Sequence, residues 1–187
     1  MNIKRKLILL TAFLFSSCFD DKIEPVTSYD VNYFPMQVGN RWIYQSDSLD
    51  LVIEISKMKL LNSNFYFEFL KTYDGEVDTM LFRGGSNEKI FVFVFNNDEI
   101  FIDFNSPEGQ IWDSFGDFYS KVNRRGLNIQ TPAGNFENVI EIFTDNYQLS
   151  DLYEFNKYAA CVGLVETIGF RRIFRLKSAF VNGITYP

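Results

Sequence analysis

Apolar and polar side chains alternate with period two from Trp42 onward, and that alternation leaves the backbone few options. Leu51, Ile53 and Ile55 alternate with Val52, Glu54 and Ser56. Phe65, Phe67 and Phe69 share one face of a strand whose other face carries Tyr66, Glu68 and Leu70. Asp74-Gly75 follows, a two-residue signal for a type I′ hairpin, because both positions tolerate positive φ. The next strand runs from about 76 to 83 and stops at Gly84-Gly85-Ser86-Asn87. A third, 88 to 95, contains Phe91-Val92-Phe93-Val94-Phe95, apolar on both faces. Asn96-Asn97-Asp98 then turns the chain into Ile100-Phe101-Ile102-Asp103-Phe104. Four strands joined by three tight turns are antiparallel, since a parallel crossover needs a dozen or more residues.

The second half continues in the same style, with strands expected at 118–130, 136–145, 151–159, 163–169 and 172–182. Phe136, Ile140 and Ile142 fall on one face and Glu137, Glu141 and Asp145 on the other. Phe174, Leu176 and Phe180 are expected to point inward, with Arg175 and Lys177 outside. No window of twelve or more residues carries a helical stripe. Ser106 to Tyr119 is the one place for a short helix or long loop, because Pro107, Gly109 and Gly116 break any strand. The fold class is therefore mainly β. An antiparallel meander of about ten strands must curl, split or close, which favours a strongly curved sheet, half-barrel or barrel, with at most one short helix and with a two-sheet sandwich second.

Composition removes much chemistry. The chain has 187 residues, no histidine and two cysteines. Histidine-dependent hydrolysis, histidine general-base catalysis and every histidine-bearing metal site are excluded. Two cysteines cannot make a four-cysteine zinc site or hold an iron–sulfur cluster alone. A pI near 4.7 argues against nucleic acid as a partner, since such binders need clustered positive charge.

The N-terminus reads as an address. Lys4, Arg5 and Lys6 precede a run from Leu7 to Phe15 interrupted only by Thr11, and Phe15-Ser16-Ser17-Cys18 closes the segment. The run is too short to span a bilayer and matches a secretory signal. Its end resembles a bacterial lipobox, with Phe15 where leucine is commonest, which makes Cys18 the lipidation site and first residue of the mature chain. Residues 1–17 are then a lipoprotein signal peptide, 18–33 the acylated cysteine and a flexible tether, and 34–187 a single β domain. Cleavage takes the net charge from −6 to −9 over 170 residues, so acyl chains such as palmitate must do the anchoring. The acidic pair Asp20-Asp21 after the cysteine resembles a surface-export signal of Bacteroidota lipoproteins; an ordinary charged tether explains it equally.

Candidate chemistry is sparse. Asp98, Glu99, Asp103, Asp113 and Asp117 are neighbours that could pair as carboxylates for glycoside hydrolysis, or form a solvated face. Asp103, Asn105 and Glu108 have some resemblance to a calcium loop without its spacing. Cys161, between Ala160 and Val162, is expected to be a buried, inert thiol. Trp42, Tyr44, Tyr66, Trp112 and Tyr119 could stack on sugar rings or hold acyl tails, or could simply be core.

Three segments together resemble a known family. Phe34-Pro35 followed by Gly39-Asn40, Trp42 and Tyr44 is similar to an F-P-x-x-x-G-N-x-W-x-Y opening. Thr131-Pro132-Ala133-Gly134 with Phe136 and Asn138 is similar to T-P-A-G-x-F-x-N, and Tyr158-Ala159 through Val165 to Y-A-x-G-V-G-L-V, with Cys161 where glycine is usual. In this order they resemble mostly-β cell-envelope lipoproteins of the Bacteroidota. The resemblance implies an outer-membrane, lipid-anchored location and a β fold, and it brings no catalytic residues. Read as sequence, Pro35 and Gly39-Asn40 form a turn that delivers Trp42 and Tyr44 to one face, and Gly163 marks a close approach. The expected function is a non-catalytic binding module for a small apolar ligand, a glycan or a protein, held to the membrane by its acylated N-terminus. The alternative is a structural or assembly subunit of a surface complex. No cofactor or metal ligand set is called for, and an enzyme is disfavoured.

Overall fold

A computed structural model of the chain describes residues 28–29, 33–47, 49–149, 152–169 and 172–187. The signal segment 1–17, Cys18 and nearly all of the 18–33 tether lie outside the described residues. The first strands are β1 (Ser28–Tyr29), β2 (Met36–Gln37) and β3 (Arg41–Gln45). The meander read from the alternation follows as β4 (Asp50–Leu61), β5 (Asn64–Tyr73), β6 (Glu76–Gly84), β7 (Lys89–Val94) and β8 (Asn97–Asp103). Then come β9 (Ile111–Asp113), β10 (Phe118–Thr131), β11 (Gly134–Asn146) and β12 (Glu154–Ala159). β13 (Gly163–Gly169), β14 (Ile173–Val181) and β15 (Ile184–Tyr186) complete the chain.

One antiparallel sheet of 13 strands contains everything but the β1–β2 pair, in the order β8-β7-β6-β5-β4-β3-β14-β13-β12-β11-β10-β9, with β15 added to β14. The sheet is a meander broken only where β14 returns to pair with β3, which places the N-terminal strand in the middle. A sheet this long twists and curls. Its free edges meet along a seam: the Ser114 hydroxyl donates to the Ile100 carbonyl at 3.2 Å, and the Gly109 amide donates to the Val122 carbonyl at 2.9 Å. Arg125 donates to the carbonyls of Phe104 and Ser106 across the same gap. The result is a nearly closed barrel.

Five hairpin turns put their residues at positive φ: Asn62-Ser63, Asp74-Gly75, Asn87-Glu88, Phe95-Asn96 and Asn182-Gly183. The expected strands are present, within a few residues of their predicted ends. Among the described residues strands number fifteen rather than about ten, because short segments such as β9 and β15 join the sheet. The 106–119 stretch is a loop with β9 inside it, and no helix occurs among the described residues.

The inner face follows the alternation in β3, β4 and β5, where Trp42, Tyr44, Leu51, Ile55 and Phe67 are buried. Burying Phe67 completely is worth about 1.5–3 kcal/mol. β14 departs from expectation. A register shift between Leu176 and Ser178 changes the phase, so Ala179 and Val181 enter the core and Phe180 is 47% exposed. A bulge adds one residue to a strand and moves every later side chain to the other face.

The outer face is bound together by charge. Glu141, Lys157, Glu166 and Arg175 form a ladder over β11 to β14, with Lys157 Nζ 2.6 Å from Glu166 Oε1 and Arg175 Nε 2.8 Å from Glu166 Oε2. On the opposite wall Glu68, only 6% exposed, is paired with Lys57 and Lys59 and accepts a 2.8 Å hydrogen bond from Ser56. Alternating strands place these charges outside while the intervening residues fill the core.

Candidate functional site

The barrel is not solid. A cavity of about 550 Å³ lies inside it, with walls from β3 to β6 on one side and β12 to β14 on the other. Its floor is aromatic. Phe34 enters from the N-terminal side and lies 5.4 Å from Phe69, 5.6 Å from Phe82 and 6.2 Å from Tyr158, centroid to centroid. Phe82 in turn sits 4.8 Å from Phe101.

Two of the three motif-like segments, 34–44 and 158–165, meet at this floor. The Trp42 indole donates to the Val162 carbonyl at 2.7 Å, and the Tyr44 hydroxyl donates to the Leu164 carbonyl at 3.0 Å. Asn40, buried, donates to the carbonyl of Pro35 and to Asn182 Oδ1, and accepts from the Asn182 amide. Gly163 has φ +93°, and a Cβ there would lie 3.3 Å from Pro35 Cδ, so the close approach expected from the sequence is real. The expected delivery of Trp42 and Tyr44 to one face is also observed, since both line the cavity.

The opposite end is polar. Exposed Lys71, Asp78, Glu154 and Arg172 surround the opening, with Asn156 and Thr167 just inside. Lys71 and Asp78 are register partners on β5 and β6. Arg172 lies over the Tyr73 ring at 5.2 Å, and that ring meets Phe174 edge-on at 5.8 Å. The Tyr73 hydroxyl is buried and has no hydrogen-bond partner among the described residues. Such orphaned groups are rare in folded proteins and costly. Burial pushes the Tyr44 and Tyr158 hydroxyls well above their usual pKa, so both remain neutral phenols at physiological pH.

In its folding pattern the chain is similar to a candidate lipoprotein from Parabacteroides distasonis: 14% identity, 81% of this chain against 100% of that one, TM-score 0.48. It is also similar to a candidate exported protein with a YmcC-like fold from Bacteroides fragilis, at 16% identity, 79% against 98% coverage and TM-score 0.46. No family model and no curated protein matches the sequence.

The other sequence candidates are engaged elsewhere. Asp98 accepts hydrogen bonds from Tyr66 at 2.8 Å and from Arg83 at 2.7 Å. Glu99 accepts the Gly116 amide, Asp103 pairs with Lys89, Asp113 accepts the Tyr147 hydroxyl and Asp117 accepts from Gln148. Asp103 and Asn105 form a local turn rather than a cation cage, and no group of three potential metal ligands converges among the described residues. Tyr66 and Tyr119 stand on the face away from the cavity, their rings tilted against those of Phe93 and Tyr147. Trp112 lies on β9, outside the cavity lining, with its indole N–H buried and without a partner among the described residues.

Cys161 corrects its expectation. It is exposed, not buried, and sits at φ +63° in the tight turn between β12 and β13. The turn, not packing, dictates this: the connection is so short that its residue projects into solvent, in the left-handed region that favours glycine.

Sequence reading missed Phe34 as the floor and Lys71, Tyr73 and Arg172 at the mouth. A signal existed for two of them. Counting by two from Phe67 and Phe69 reaches Lys71 and Tyr73, and a lysine on an inner face marks where that face meets water.

Proposed function

We propose that the protein is a lipid-anchored cell-envelope protein, attached to the outer membrane through Cys18, whose barrel binds a small apolar molecule without transforming it. The cavity carries this reading: about 550 Å³, floored by Phe34, Phe69, Phe82 and Phe101 and open at one polar end. Its size and its apolar wall with a few polar groups match small-molecule sites generally. The signal segment and Cys18 support the anchored location, and Asp98, Glu99, Asp103, Asp113 and Asp117, held in structural hydrogen bonds and ion pairs outside the cavity, support a non-catalytic role.

The test is extraction of the protein from native membranes, followed by mass spectrometry of what denaturation releases. A stoichiometric apolar compound supports the reading. An empty protein that also fails to bind N-phenyl-1-naphthylamine sinks it.

A second reading, a docking subunit of a surface complex, is favoured by one observation. Phe95, at the tip of the β7–β8 hairpin, is 88% exposed and held at φ +48°. Single-sized particles in gentle extracts, with no co-purifying protein, would count against it.

A further inference from the structure

The reading of the barrel as an apolar-ligand site leaves the polar end of that ligand undefined, and the mouth defines it. We infer that the site takes a single-chain amphiphile with a zwitterionic head. This rests on the cavity being a binding site.

The argument begins with charge. On the outer face the least exposed charges are joined in pairs and ladders: Glu68 with Lys57 and Lys59, Arg83 with Asp98, and Glu141 through Lys157 and Glu166 to Arg175. The mouth gathers four charges around one opening. Lys71, Asp78, Glu154 and Arg172 line the opening, and none forms an ion pair among the described residues. Lys71 and Asp78 are cross-strand partners, placed where a pair would form most easily, and still do not close on each other.

The arrangement is also symmetric in sign. One wall, β5–β6, supplies Lys71 and Asp78; the other supplies Glu154 at the start of β12 and Arg172 just before β14. Each wall thus offers one cation and one carboxylate. A purely anionic head would meet two carboxylates, and a purely cationic head two cations. A head that carries both signs can satisfy all four groups. The Tyr73 hydroxyl, buried beneath Arg172 and without a partner, adds a donor on the cationic side, suited to a phosphate or carboxylate oxygen. The Asp78 and Glu154 carboxylates suit an ammonium group.

Volume limits the tail. Taking ~30 Å³ per heavy atom, a water's share of liquid volume, a cavity of about 550 Å³ holds about eighteen heavy atoms, room for one chain and not two.

The experiment uses the exported full-length chain carrying Cys18→Ser, so that no acyl group of its own competes. N-phenyl-1-naphthylamine is bound first. Four twelve-carbon probes then compete below their micellar concentrations: dodecylphosphocholine, dodecanol, dodecanoate and dodecyltrimethylammonium. Dodecylphosphocholine is expected to displace the dye at about tenfold lower concentration than the other three, one well-made charged contact's worth. Lys71→Ala with Arg172→Ala, and separately Asp78→Asn with Glu154→Gln, are expected to abolish that preference, each competitor being scored against the dye affinity measured for the same variant. Equal displacement by all four, or preference for a single sign of charge, overturns the zwitterion assignment with the cavity reading intact. Failure of the dye to bind, together with a native protein that releases no apolar compound, overturns both.

Discussion

The indole N–H of Trp42 donates to the carbonyl of Val162 at 2.7 Å, joining β3 to the turn that carries Cys161 and Gly163. This bond locks together two of the segments that resemble the envelope-lipoprotein motifs, and Asn40 ties the same region to Pro35 and Asn182. Removing one partner of a buried bond leaves the other unsatisfied. Trp42→Phe is expected to destabilise the protein by about 1–3 kcal/mol. Gly163→Ala, which forces a side chain against Pro35 at φ +93°, is expected to cost a further ~1–3 kcal/mol on its own. Chemical denaturation of each variant checks both; an unchanged midpoint for either would show that the lock does not hold the fold.

Cys161 should respond in the opposite direction. A cysteine at φ +63° pays a backbone strain that glycine does not, partly offset by glycine's greater freedom when unfolded. Cys161→Gly is expected to stabilise by about 0.5–1 kcal/mol. A measured loss of stability would mean that the side chain makes a contact worth more than the strain.

Tyr73 offers a stability test of the mouth. Its hydroxyl is buried without a hydrogen-bond partner among the described residues. Tyr73→Phe is therefore expected to raise the melting temperature of the empty protein, by the equivalent of about 1 kcal/mol, and to weaken dodecylphosphocholine relative to dodecanol. A lower melting temperature would show that the hydroxyl supports the fold directly.

Glu68 sets a pH dependence. The hydrogen bond from Lys59 holds its carboxyl below the ordinary range, against the opposing effect of burial and with help from Ser56 and the Lys57 charge. A depressed folded-state pKa adds stability above the unfolded value, near about 4.3, that is lost as pH falls through the lower folded value. Glu68→Gln is expected to melt below the parent at neutral pH, with the gap closing below about pH 4. Melting curves across that range decide it; a gap that persists unchanged in acid would assign the effect to shape rather than charge.

Local chemistry made much of this fold legible. Asp74-Gly75 announces its hairpin, and the β4–β8 meander follows from alternation and turn residues alone. The same dipeptide logic stands at Asn182-Gly183, where a strand taken as running to 182 hides the turn and β15 beyond it. Phe180 could not be read correctly, because a one-residue bulge near Lys177 reverses its face and nothing in the local pattern marks the insertion. The cavity was hidden for another reason. Phe34 meets Phe82, Phe101 and Tyr158 across the closed sheet, contacts between residues far apart in the chain that no local period encodes. Of the aromatic candidates, Trp42 and Tyr44 reach the cavity because they share a strand face, and Tyr66 and Tyr119 miss it because they occupy the other face.

The chain enters the barrel at Tyr33 and Phe34, beside Phe104 and the β12–β13 turn, whereas Lys71, Asp78, Glu154 and Arg172 ring the far end. The barrel is therefore built like a vase, its base filled by the incoming chain and its lip left to charge, so that the two ends of one fold present opposite chemistry to their surroundings.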